Sequence, residues 1–329
     1  MPTPLQHAQT LAEDLLPNTP VFMAQSAQGT TSESVFDALM QQFYGKDAKK
    51  HKTQWQRDPQ LREALKAFEE NRGGIFIVYG DDGEPRVIII APDFIQRPED
   101  VLARWSHLPP QDLRIPPEIK NEELQAYMLN LLVAYAHLEM QRKEQLQQLG
   151  RPNFVRYAIN SMAHRFAALM SKNQTGKNDV PSFAAGILFA NTMKAGLHEN
   201  TSATRRASRY AVPEIVQVLD DADDPTKGLT AAQVMDRLVL GHAFEITPEG
   251  TLVVRKQSTL MTPEKFEDFA QNLNDPQSTP CRKMAEHYYA KAYPLLTGKN
   301  APAKAVETHL YQEQARALVN QLAPMPEAN

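Results

Sequence analysis

NEELQAYMLNLLVAYAHLEMQRKEQLQQLG, residues 121 to 150, followed by RPNFVRYAINSMAHRFAALM, residues 151 to 170, decides the fold class. Between Tyr127 and Met140 apolar side chains occur nearly all round a helical wheel, which marks a helix surrounded by protein. Gly150, Arg151 and Pro152 supply turn chemistry between the two segments. The expectation is one long helix over 121–150 and an antiparallel αα-hairpin at the centre of the molecule.

Outward from this hairpin, PSFAAGILFANTMKAGL, VPEIVQVLDDA and APAKAVETHLYQEQARALVNQL carry helical periodicity on the C-terminal side. On the N-terminal side SESVFDALMQQFYG reads as a helix capped by Ser32. DPQLREALKAFEENRGG reads as another, with Asp58 and Pro59 at its start and Gly73 and Gly74 at its end. Two places change period. IFIVY and RVIIIA flank GDDGEP, and FEIT and TLVVR flank PEG, so each is expected to be a β-hairpin. Each is followed by a Pro-Glu helix start, RPEDVLARW and TPEKFEDFAQNL. The fold class is therefore mostly α, of the α+β type: a multi-helix assembly with a central long-helix αα-hairpin and two small antiparallel β-hairpins.

A chain of 329 residues can build one large domain or two. PNTPVFMAQSAQGTT, residues 17 to 31, is rich in turn-forming and small polar residues, so residues 1–31 are expected to be a flexible N-terminal segment. A helix, hairpin and helix region follows over 32–110, a helical region with the long αα-hairpin over 111–206, and a helical region with the second hairpin over 207–329.

Hydrophobic residues at 42% and charged residues at 22% are ordinary for a soluble folded protein, and a net charge of −4 speaks against a dedicated nucleic-acid binder. The single cysteine, Cys281, excludes an internal disulfide and any zinc site needing two thiolates, which fits a reducing compartment. MPTPLQHAQTLAEDLLPNTP has neither a basic leader nor a long apolar run, so no Sec-type signal is expected and the cytoplasm is the expected location. The most apolar segment, Met128 to Met140, falls far short of the roughly 20 residues that span a membrane, and it contains Asn130, His137 and Glu139. No membrane association is expected.

No GxGxxG follows a strand, no GxxxxGK[ST] cradles phosphates, no GxSxG presents a serine and no HExxH pairs two zinc ligands. The sequence names no cofactor and no metal. The carboxylates of Asp220, Asp221, Asp223 and Asp224 fail the EF-hand spacing, since Thr226 stands where the glycine is needed. They read as a solvated loop.

Three constellations remain. Asn130, Ala134, His137 and Gln141 share one narrow strip of the long helix, and Arg156, Asn160 and His164 recur on the next. His137 lies thirteen residues before Gly150 and His164 fourteen after it, so an antiparallel turn there sets them at one level. Two such imidazoles suit acid-base work, with Asn130, Gln141, Arg156 and Asn160 as ligand-binding groups around them. The alternative is a structural role, with His164 pointing to water.

The second constellation is YGKDAKKHKTQWQR, residues 44 to 57, where Lys46, Lys49, Lys50, Lys52 and Arg57 are interleaved with Tyr44 and Trp55, as a nucleic acid or other polyanion requires. The alternative is a solvated loop. Third, Arg205 and Arg209 align at helical spacing, either for an acidic partner or as plain surface. Cys281 lies six residues before His287, about 240° around a helix, so the two cannot form a local dyad and the cysteine reads as core.

The primary functional expectation is a bacterial-type cytosolic accessory protein that binds a protein partner through helical surfaces. An enzyme, possibly a hydrolase, centred on His137 and His164 is the alternative, and local polyanion binding through residues 44–57 is the third.

Overall fold

The structure is a computed structural model, and it describes residues 2–26, 29–106, 115–198, 210–220 and 225–272. Cys281, Arg205, Arg209, Asp221, Asp223, Asp224 and the helix expected over 301–322 lie outside the described residues.

Helix α1 covers Pro4–Leu15. Thr3 caps it: the hydroxyl accepts from the Gln6 N–H and the Gln6 side chain accepts from the Thr3 N–H, which satisfies two amides that a helix start leaves open. Ala8, Leu11, Ala12 and Leu15 recur on one face and all are buried. The chain then enters strand β1, Val21–Gln25. Residues 4–25 are thus built into the protein, in place of the flexible segment expected over 1–31. The apolar spacing within PLQHAQTLAEDL outweighs the turn-rich composition that follows it.

Helices α2 (Ser32–Tyr44), α3 (Ala48–Trp55) and α4 (Pro59–Glu69) come next. Thr31, not Ser32, caps α2, in a reciprocal pair with Ser34. Asp58 caps α4 as its sequence implies, with Oδ1 accepting from the N–H groups of Gln60 at 2.7 Å and Leu61 at 3.0 Å. The chain leaves α4 through Asn71, which adopts a left-handed backbone with φ of 52°. Asparagine tolerates this conformation, so Gly73 and Gly74 are not needed to end the helix. Gly74 instead opens β2 (Gly74–Tyr79), which pairs antiparallel with β3 (Pro85–Ala91) as expected.

The far edge of β3 pairs parallel with β1, from Val21 opposite Val87 to Gln25 opposite Ala91. The expected hairpin is therefore two strands of a three-stranded mixed sheet, ordered β1, β3, β2. Its middle position explains why RVIIIA shows no apolar–polar alternation: both faces of β3 are covered. Val87, Ile89 and Ala91 belong to the cluster that contains α1, whereas Ile88 and Ile90 pack with Phe36, Leu39, Leu61 and Phe68 of α2 and α4. All five residues from Val87 to Ala91 have 0% exposure. Burying each larger side chain contributes about 1.5–3 kcal/mol.

Beyond α5 (Pro98–Ser106), the central rod begins with α6 (Asn121–His137), continues through a π-helical turn at Leu138–Arg142 and ends in α7 (Lys143–Gln147). The expected helix over 121–150 is helical nearly throughout, but its pitch widens in the middle. Helix α8 (Pro152–Thr175) runs back antiparallel against α6 and stops at Gly176, in the left-handed region at φ of 65°. Helices α9 (Asp179–His198) and α10 (Val212–Asp220) pack on α8 and on each other.

A helical run over 231–243, π-helical at Val234–Leu240, leads directly into the second hairpin, β4 (Phe244–Ile246) and β5 (Leu252–Val254). Glu245 stands opposite Val253 there. Helix α11 (Pro263–Asn272) returns to α8, stacking Phe266 on Tyr157 with ring centroids 4.9 Å apart. The architecture is mostly helical α+β, as the sequence predicts. Buried side chains from Ala8 to Ala270 form one contiguous cluster that crosses the sequence boundaries at 31, 110 and 206. Among the described residues no helix is long and apolar enough to cross a membrane.

Candidate functional site

The two histidines of the central hairpin are not brought together. His164 is 2% exposed, with Nδ1 at 3.1 Å from the Tyr127 hydroxyl and its ring parallel to that of Trp105. Burial alone pushes its pKa down to about 3, so the imidazole is neutral near neutral pH. It does not point to water. His137 instead turns to the end of α1, where its Nδ1 is 2.8 Å from the Leu15 carbonyl oxygen. Gln141 donates to the same oxygen at 3.3 Å. These two side chains of the long-helix strip therefore satisfy a carbonyl that α1 leaves open at its C-terminus.

Asn130, on the same strip, donates to Gln174 of α8 at 3.4 Å, and Asn160 accepts from the Tyr135 hydroxyl. Arg156 is exposed. The level assignment fails for a geometric reason. Tyr127, not His137, meets His164, about ten positions away along α6, or roughly 15 Å at 1.5 Å per residue.

The basic run is likewise internally occupied. Trp55 is 3% exposed, donates through Nε1 to the Tyr44 hydroxyl at 2.8 Å, and packs among α2 and α4, so it offers no face for a base to stack on. Tyr44 is stacked by His51 at 4.1 Å and by the Arg86 guanidinium at 5.2 Å. Lys50 pairs with Asp47 and Lys52 with Asp37, while Lys46, Lys49 and Arg57 stay exposed. Charge runs placed on a helix surface collect acidic partners from neighbouring turns.

A different constellation emerges where the two π-helical turns meet. Arg142, at the end of the first, donates to Asp236 in the second at 3.0 Å. Beside this bridge lies a groove of about 570 Å³, closed on its other side by β4 and β5. Leu146, Phe244 and Leu252 are buried in its floor. Arg142, Asp236, Glu245 and Arg255 carry its charge, and Ile246 at its lip is 66% exposed. Among the described residues its lining includes no His, Cys, Ser or Lys.

The groove wall has its own supports. Gly241 donates its N–H to the Asp236 carbonyl five residues back, and a Cβ at this glycine would sit 3.0 Å from that same oxygen. Only a residue without a side chain closes this π-helical run without displacement. From α8, Arg165 donates through Nε to the Leu238 carbonyl at 2.8 Å and through Nη1 to Glu214 at 3.3 Å and Gln217 at 2.7 Å. Burial pushes the Glu214 carboxyl up while Arg165 and a hydrogen bond from Thr259 pull it down. His242 is held down at about 4 by burial and by the charges of Arg165 and Arg255.

The groove residues come from separate segments, and sequence reasoning missed them. The only signal was the hairpin at residues 244 to 255, which was visible as structure but not as a site. Among the described residues no group of three or more His, Cys, Asp and Glu side chains could hold a metal ion. Comparison of the chain with family models, with curated proteins and with solved structures found no match in any of the three.

Proposed function

We propose that the protein is a binding protein that takes an apolar side chain of a partner polypeptide into the groove between the π-helical run at Val234–Leu240 and the hairpin of β4 and β5. The supporting observation is an apolar floor beneath a rim with two cations and two anions, with Ile246 66% exposed at the lip. A polypeptide backbone is neutral and offers donors and acceptors in alternation, which suits a rim of both signs. A polyanion would meet Asp236 and Glu245. π-helical turns recur at functional sites because the widened turn re-aims side chains, and here two of them border one groove. The same proposal keeps the protein in the cytosol, on the strength of its single cysteine.

A library of random peptides panned against the full chain is expected to yield sequences sharing one bulky apolar residue. Ile246→Asp is expected to weaken them about ten-fold or more, equivalent to ~1.4 kcal/mol. Tyr79→Asp, at an equally exposed aromatic outside the groove, is expected to leave them unchanged. Failure to enrich any peptide, or equal binding by Ile246→Asp, rejects the proposal.

A further inference from the structure

A second cavity, of about 650 Å³, opens where the end of α4, the start of α2 and the turn after β3 meet. Asp93 lines it and is only 4% exposed. Its Oδ1 accepts from the N–H groups of Ile95 and Gln96, both at 3.0 Å, and from Gln25 Nε2 at 3.5 Å. These bonds hold the turn, and they leave Oδ2 without a partner among the described residues. Buried carboxylates ordinarily have both oxygens engaged. Next to it Asn71, 3% exposed, accepts the Asp93 N–H on Oδ1 at 2.7 Å, and its Nδ2 is buried with no hydrogen-bond partner. Two adjacent buried polar groups thus each keep one uncommitted atom, an acceptor on Asp93 and a donor on Asn71.

Two of the three charges on this lining are negative. Glu69 and Asp93 both line the cavity, and Glu69 Oε1 accepts the Ser32 hydroxyl at 2.5 Å, leaving Oε2 open. Arg97 also lines it, but its guanidinium is held by Asp100 at 2.9 and 2.6 Å. Ser26 donates its hydroxyl to the Phe68 carbonyl at 2.8 Å, which leaves the Ser26 oxygen able to accept. The lining therefore carries two carboxylates against one engaged cation, and its exposed Gln96 amide is a free donor.

We propose that this cavity binds a small organic ammonium ion that carries a neighbouring hydroxyl or carbonyl oxygen, such as an amino alcohol or an amino-acid amide. Asp93 Oδ2 is the counter-ion, Ser26 Oγ a second acceptor, and the exposed Gln96 amide on the lining the donor to the neighbouring oxygen. The volume lies within the range of small-molecule sites. A hard metal ion would find two carboxylates here, and no cluster of three acidic or imidazole ligands exists among the described residues. The ammonium ion is therefore the favoured occupant.

Calorimetric titration of the full chain with ethanolamine, glycinamide, propylammonium, calcium chloride and magnesium chloride tests this. Saturable binding is expected for ethanolamine or glycinamide, tighter than for propylammonium. Asp93→Asn keeps the oxygen that holds the turn and replaces Oδ2, and it is expected to weaken amine binding about ten-fold or more. Should Asp93→Asn not fold, Gln96→Ala removes the exposed amide donor of the lining and keeps the Gln96 N–H bond to Asp93 Oδ1. It is expected to weaken glycinamide and spare propylammonium. The proposal is overturned by the absence of saturable amine binding, by amine binding unchanged in a folded variant, or by calcium or magnesium binding that amines do not displace.

Discussion

Arg165 of α8 donates to the carbonyl oxygen of Leu238, 2.8 Å away, inside the π-helical run that walls the groove. The same guanidinium reaches Glu214 and Gln217 of α10, so one buried cation ties three segments together. The groove is consequently shaped from behind by residues that do not line it.

Removing one member of a buried ion pair strands the other, at a cost of about 3–5 kcal/mol. Arg165 and Glu214 side chains are 7% and 2% exposed, so Arg165→Met is expected to lower the stability measured by urea unfolding by that order. The double variant Arg165→Met with Glu214→Leu is expected to regain much of the loss. A double variant no more stable than the single one would show that Glu214 was not left uncompensated.

Acid should destabilise the protein through His164. Its imidazole is held at about 3 when folded and returns to 6.5 when unfolded. Between those values the unfolded chain binds a proton that the native chain refuses, so stability is full above about pH 6.5 and is lost as pH falls toward 3, by up to ~1.4 kcal/mol per pH unit. His242 and His137, both lowered chiefly by burial, act in the same direction. His164→Gln keeps a polar group beside Tyr127 and is expected to flatten this dependence between about pH 6 and pH 4.5. Urea midpoints across that range provide the measurement, and an unchanged slope would contradict the assignment.

Helix α1 behaves as core. Leu11 is 4% exposed within the main cluster, and truncating such a leucine costs about 2–5 kcal/mol. Leu11→Ala is therefore expected to lower the free energy of urea unfolding by that amount. A flexible tail would show no shift, so the same measurement separates the two.

What the sequence made legible was local. The Asp58 cap, the two hairpins and the apolar wrap of α6 depend on residues within a turn or two, and each took the expected form. Strand β1 did not announce itself, because VFMAQ lies between turn-rich stretches and its partner begins at Val87. Trp55 among lysines resembles a stacking surface until the fold folds it under α2 and α4. A π-helical turn adds a residue without altering hydrophobic composition, so the two π-helical borders of the groove leave no mark in the sequence pattern. His137 turned to the Leu15 carbonyl of α1 and His164 to Tyr127, and no periodicity within one helix encodes those partners.

Strand β3 presents odd-numbered side chains to the cluster of α1 and even-numbered ones to that of α2 and α4. Parity along this strand thus assigns each residue to its neighbours. A single-residue insertion between Pro85 and Ala91 would swap the two sets, sending Ile88 and Ile90 to the wrong side, whereas an insertion of two would restore them. Length variation in this strand is therefore tolerable only in even steps.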